Sequence, residues 1–153
     1  MQHERTTPGI RTSAWFLEER ADWSPGELAV NLHIPESGPL DPATVRESLR
    51  AGRTVMRKRF PDHRLRVRYC ISWLLDPQLA VYLPESSNIV AFQRMFRIGP
   101  AKDDDGDSSV RKFVFGNPSG PVGSLPQRSS LERAAVAHWR AGRHWRVHVG
   151  RVP

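Results

Sequence analysis

The chain has 153 residues, a net charge of +7 from 23 basic and 16 acidic side chains, and 39% hydrophobic content. That is the arithmetic of one globular domain, which at this length buries roughly 68–70% of the surface its unfolded chain exposes and needs no disulfide or metal to hold a core. A single cysteine, Cys70, excludes a disulfide framework and a cysteine-based zinc site and points to a reducing compartment. No apolar run approaches the roughly 18 residues of a membrane span, and MQHERTTPGIRT lacks the apolar stretch of a signal peptide, so the expected location is the cytoplasm.

Residues 1–26 read as a lead-in, with a short helix over Ser13–Arg20 that carries Trp15, Phe16 and Leu17. In LAVNLHIP, Leu28, Val30, Leu32 and Ile34 alternate with Ala29, Asn31 and His33, the period of a half-buried strand. Asp41 then stands as N-cap before Pro42 at the first helical position. Val45, Leu49, Gly52, Met56 and Phe60 recur at steps of four or three, one face of a helix over 42–60 with arginines on its other faces. LRVRYCISW predicts a strand, with Leu65, Val67, Tyr69, Ile71 and Trp73 on one side and Arg66, Arg68, Cys70 and Ser72 on the other.

A short helical turn is expected around Pro77–Tyr82, then strands over Phe92–Ile98 and Arg111–Phe115 joined as a long hairpin through GPAKDDDGDSS. The acidic run has no glutamate to close a twelve-residue calcium loop and reads as a solvated turn. Ser129 and Glu132 have the spacing of a capping box, LERAAVAHWRAG follows as a helix stopped by Gly142, and HWRVHVG closes as a strand. Alternating strands and helices give an α+β class, α/β-like in character.

The junction most suggestive of chemistry runs from the strand expected to end at Phe115, through a loop with Gly116, Gly120 and Gly123, to the helix start at Ser129. Free backbone N–H groups and a positive dipole end at Gln127, Arg128, Ser129 and Ser130 suit a phosphate. The plainer reading is a capped surface loop, since neither G-x-x-x-x-G-K-S/T nor G-x-G-x-x-G is present. His33 at a strand end could serve as a base, and Cys70 in mid-strand as a nucleophile or proton donor. Asp76 before Pro77 is a helix N-cap or a second base. His138 and His144 flank the end of the last helix, where a protonated ring favours the dipole. No H-x-x-x-H or H-E-x-x-H spacing exists, so no metal is expected.

Taken together, HIPESGPLDP (33–42), CISWLLDPQLAVYLPESSNIVAFQRMF (70–96) and LPQRSSLERAAVAHWRAGRHWRVHVG (125–150) resemble bacterial acyltransferase-type proteins with a GNAT-like C-terminal domain, common in actinobacteria. The resemblance covers about residues 28–150, and S-W-L-L-D-P-Q-L and S-N-I are its most specific blocks. It implies a GNAT-like domain over 27–153, a mixed sheet of about five strands with helices packed on it, and acetyl-CoA or another acyl-CoA as cofactor. The pyrophosphate would then sit at Gly120, Gly123 and Gln127–Ser130. An amine acceptor would attack the thioester with His33 or Asp76 as base and Cys70 or Tyr69 as proton donor.

Against the family pattern, the R/Q-x-x-G-x-G/A signature is absent, the chain ends after one further strand without the helix and strands that usually complete the fold, and the related proteins carry a helical domain ahead of this block. Those departures favour a second reading, a non-catalytic GNAT-like binding module that lacks its N-terminal partner domain. The basic charge fits an acidic protein partner such as an acyl carrier protein. Nucleic-acid binding ranks lower, because the basic residues are scattered and no RRM, KH or helix-turn-helix signature is present.

Overall fold

The computed structural model describes residues 28–35, 39–63 and 67–153; the lead-in and its expected helix over Ser13–Arg20 lie outside them. In chain order the described elements are β1 (Ala29–Asn31), α1 (Pro42–Arg59), β2 (Val67–Ser72), a 3-10 turn (Trp73–Leu75), α2 (Leu79–Tyr82), α3 (Asn88–Gln93), β3 (Arg97–Asp105), α4 (Gly106–Phe115), a second 3-10 turn (Val122–Ser124), α5 (Ser130–Arg140) and β4 (Arg146–Arg151). Among the described residues no helix is long and apolar enough to cross a membrane.

α1 starts where its capping signal says it should. Oδ2 of Asp41 accepts the Thr44 N–H at 2.8 Å and the Thr44 hydroxyl at 2.9 Å, and these bonds hold the Asp41 carboxyl below its ordinary range. Arg57, Lys58 and Arg59 occupy the last turn, where cations favour the negative end of the helix dipole. The helix connects β1 to β2 as a crossover, which lets the two strands pair in parallel with Ala29 opposite Val67 and Asn31 opposite Tyr69.

The sheet order is β1-β2-β4-β3, and β4 runs antiparallel to both of its neighbours, with Ile71 opposite Val149 and Ile98 opposite Gly150. β3 carries Gly99 and Pro100 and shifts register between Ile98 and Ala101 and again between Lys102 and Asp105. Proline cannot donate to a ladder, and a bulged edge strand is where it is tolerated.

Two expected strands take other forms. Phe92 lies in α3, capped by Ser87, and β3 begins only at Arg97. Arg111–Phe115 belongs to α4, so the sheet has four strands among the described residues and the long hairpin does not exist. The acidic run is not a solvated turn. It ends β3 and starts α4, where Asp105 accepts the Ser108 N–H at 3.0 Å and Asp107 occupies the first turn. Gly116 ends the helix at φ 72°, a left-handed position that a Cβ disfavours.

Both faces of the sheet are covered. On one, Val110 of α4 and Ala134 and Ala135 of α5 pack with Trp73, Trp145 and Val147. On the other, Cys70, Leu75, Phe92 and Phe96 form a cluster against which Leu32, Ile34 and Val45 are packed. Gly150 of β4 faces this second cluster, and a Cβ there would lie 2.8 Å from Leu75 and 2.9 Å from Phe96. His138, expected to cap the end of α5, instead turns inward, is fully buried, and meets the Tyr82 hydroxyl at 3.1 Å.

Candidate functional site

The pairing of β1 with β2 stops early. After the Leu32 N–H donates to the Tyr69 carbonyl at 2.7 Å, the chain through His33, Ile34 and Pro35 leaves the sheet edge. α1 does not close the opening, since its apolar stripe of Val45, Leu49, Met56 and Phe60 is only half-buried and the helix has no fully buried residue. Between the stripe and the strand edge lies a cavity of about 1040 Å³. Small-molecule sites are roughly 300–1,000 Å³, so this one is at the large end.

Its walls are of two kinds. The interior is apolar, lined by Leu32, Ile34, Leu49 and Met56 from the edge and the helix and by Cys70, Phe92 and Phe96 from the core cluster. Polar groups come from His33, Arg53, Arg57, His63 and Arg68. Burial, and after it the like charge of Arg53, hold the Arg68 guanidinium below its ordinary range. A site of this kind takes a ligand with a long apolar part and an anionic part.

The three residues singled out for catalysis do not share one place. His33 and Cys70 both line the cavity, His33 exposed and Cys70 buried. Burial pushes the Cys70 thiol up to about 12, which suits a wall and not a nucleophile. Asp76 is absent from the lining and fully buried. Its carboxylate accepts the Gln78 N–H at 2.9 Å, the Gln78 side-chain amide at 3.1 Å and the Arg146 N–H at 2.8 Å, and so fixes the turn after β2 against the start of β4.

The loop expected to cradle a phosphate is reached from a helix, α4, and not from a strand. Gly120 and Gly123 lie on the exposed connection, and Gln127, Arg128, Ser129 and Ser130 lead into α5 as expected. The capping box is complete: Ser129 Oγ accepts the Glu132 N–H at 3.0 Å, and the Glu132 carboxylate accepts the N–H groups of Ser129 and Arg128. Three donors of that junction, the N–H groups of Arg128, Ser129 and Glu132, are therefore engaged within the chain. Arg133 donates to the carbonyls of Gln127 and Arg128.

Leu49, Gly52, Arg53, Arg57 and Arg68 did not stand out in the sequence as site residues, yet all line the cavity. The signal available was on α1, where a glycine sits in the middle of an apolar stripe and leaves no side chain to reach the sheet. Nothing lies within 4 Å of where its Cβ would be.

No curated protein matches the chain. Solved structures do. An acyltransferase in complex with decanoyl-CoA is 40% identical over 94% of this chain, with a TM-score of 0.77. A mutant acyltransferase in complex with octanoyl-CoA is 44% identical over 83%, with a TM-score of 0.76. A third, an acyltransferase with decanoyl-CoA and teicoplanin, is 40% identical over 94%, again with a TM-score of 0.77. The chain spans less than half of those structures, 43%, 41% and 43% of their lengths. Residues 2–152 match the GNAT-like C-terminal domain as a whole, and the chain belongs to that family.

Proposed function

We propose that the chain is the acyl-CoA-binding domain of an acyltransferase, and that the cavity between α1 and the β1–β2 edge receives the thioester arm and its acyl group. The observation that carries this is the cavity itself: a large apolar space at the end of a strand that leaves its parallel partner, the kind of crevice in which open sheets bind ligands. The similarity to acyltransferases that bind decanoyl-CoA and octanoyl-CoA supports the same ligand class.

In the proposed reaction the nitrogen of a small-molecule amine attacks the thioester carbonyl, the new C–N bond forms and the C–S bond breaks. His33 is the base; it takes the proton from the amine and returns it to the departing sulfur, so the step balances without a second acid. Cys70 is not the donor, because a thiol near 12 does not give its proton to a thiolate whose own acid is near 8.5. Asp76 acts by fixing the turn on which the cavity's far wall is built. An acidic acyl carrier protein that presents the same thioester suits the charge of +7 as an alternative donor. The free, buried Cys70 suits a reducing, cytoplasmic setting.

The test is isothermal titration of the chain with decanoyl-CoA, acetyl-CoA and free CoA at low and raised salt, beside the Gly52→Trp variant. Saturable binding of decanoyl-CoA that survives salt, and is abolished when the indole fills the cavity, is the expected result. Equal binding by the Gly52→Trp variant would move the site elsewhere, and no binding of any thioester would leave the non-catalytic module as the reading.

A further inference from the structure

Gly150 lies in β4 between two partners, opposite Cys70 of β2 and Ile98 of β3. Its backbone is not left-handed, so conformation does not demand glycine at this position. Space does. A Cβ would stand 2.8 Å from Cδ1 of Leu75, 2.9 Å from Cβ of Phe96 and 3.0 Å from Cδ1 of Phe96. Carbon atoms rest at about 3.5–4.0 Å, so a methyl group here would have to displace Phe96 by roughly 0.6–1.1 Å. Phe96 is seated directly on bare backbone.

The surroundings give that displacement a direction. Leu75 is fully buried, whereas Phe96 lines the cavity beside Phe92, with the two rings 4.9 Å apart. α3 does not retreat as a body. At six residues it is too short to keep its place by its own hydrogen bonds, and it is fixed by the buried Gln93, whose Nε2 donates to the carbonyls of Leu74 at 2.9 Å and Asp76 at 2.8 Å. The Phe96 N–H donates in turn to the Gln93 carbonyl at 3.0 Å. What yields is the Phe96 side chain, and the open space beside it is the cavity. Neither Gly150 nor Gln93 lines the cavity itself.

We propose that Gly150 sets, from behind the cavity wall, the length of acyl chain that the domain accepts. Because position 150 carries no side chain, Phe96 lies back against β4, and the depth so gained takes the far end of a medium-length acyl group. Gln93 is a positioning residue that holds α3 while Phe96 adjusts. This rests on the acyl-CoA reading above and adds to it a selection among acyl groups. Each methylene buried in an apolar wall is worth roughly a factor of four in affinity, so a small movement of the wall is read out as a change in preferred chain length.

The experiment is isothermal titration of the full chain with acetyl-, octanoyl-, decanoyl- and dodecanoyl-CoA, for the natural sequence, Gly150→Ala, Phe96→Leu and the two substitutions together. The natural chain is expected to bind decanoyl-CoA roughly fifteenfold more tightly than octanoyl-CoA, the gain for two further buried methylenes. Gly150→Ala should lose that gain and leave acetyl-CoA affinity unchanged, and Phe96→Leu should extend the gain to dodecanoyl-CoA. If Gly150→Ala alone does not fold, the double variant decides, since its smaller side chain leaves room for the methyl group; it should prefer a shorter chain than Phe96→Leu does. An unmoved length profile in a folded Gly150→Ala chain, or in the double variant against Phe96→Leu, overturns the assignment and leaves the acyl-CoA reading standing. Equal weakening of all four thioesters would reduce Gly150 to a packing role and overturn it as well. A natural chain that binds every thioester alike would place the acyl group outside the cavity, and binding of none would overturn both readings.

Discussion

Asp107 and Trp139 are joined across two helices: the indole N–H of Trp139, in α5, donates to Oδ1 of Asp107, in the first turn of α4, at 2.6 Å. The same Oδ1 accepts the Trp145 N–H at 2.8 Å, and Oδ2 lies 2.7 Å from Nδ1 of His144. One carboxylate thus fixes the start of α4, the end of α5 and the entry to β4. Asp107→Ala leaves the two tryptophan N–H groups without their acceptor, and we expect a loss of about 2–4 kcal/mol in urea denaturation, with Asp107→Asn intermediate. A change under about 0.5 kcal/mol would show that water replaces the carboxylate freely.

Gly52→Ala tests the openness of the cavity by a small step. Gly52 is helical and its Cβ would meet nothing within 4 Å, so alanine is expected to stabilise the chain by about 0.5–1 kcal/mol. Thermal unfolding should report a higher midpoint with acyl-CoA affinity retained; a lower midpoint would mean that α1 packs closer to the sheet.

For Cys70 the sign of the pH dependence follows from burial, which raises the thiol from an ordinary value near 9 to about 12. A group raised in the folded state contributes stability that is full below pH 9 and is lost as pH rises through 12. At pH 8 the folded thiolate fraction is lower than that of a free thiol by about a thousandfold, and iodoacetamide labelling should slow accordingly until urea unfolds the chain. Rapid labelling of the native chain would mean that the cavity floor opens.

At the α5 terminus, Ser129→Ala should cost about 1 kcal/mol in chemical denaturation through loss of the cap. The N–H groups of Ser129 and Arg128 hold the Glu132 carboxyl below its ordinary range. Its contribution is therefore present above pH 4.5 and fades as pH falls through the lowered value. Since that carboxylate already takes two N–H groups of the junction and the cavity lies elsewhere, Arg128→Glu is expected to leave octanoyl-CoA affinity unchanged; a tenfold loss in titration would return the phosphate site to this loop.

Where side chains announce the backbone, the sequence was legible. Asp41 with Pro42, the alternation through Val67–Ser72 and the Ser129–Glu132 pair each mark a local hydrogen-bond pattern that tertiary contacts did not override. The segment 106–115 misled because RKFVF carries β-branched and aromatic residues that suit a strand. Its helical evidence lay upstream, in Asp105 as cap to Ser108, and downstream in Gly116, and the acidic run obscured the first of these. β3 was read too early because Gly99, Pro100 and three aspartates have little strand propensity; they extend only because β4 offers a partner. The cavity was illegible for a different reason. It is a gap between elements predicted correctly one by one, and hydrophobic periodicity says which face turns inward without saying how far away the neighbour stands.

The position of β4 bears on how the chain comes to be made. It is the last of the four strands to leave the ribosome, yet it is the middle partner to which both β2 and β3 bond. Until residues 146–151 emerge, a nascent chain holds β2 with one open side and β3 with none of its ladder, both exposed to pairing with other chains. Closure of this sheet therefore waits on a single late segment, and a chaperone that shields strand edges would be needed most in the moments before that segment appears.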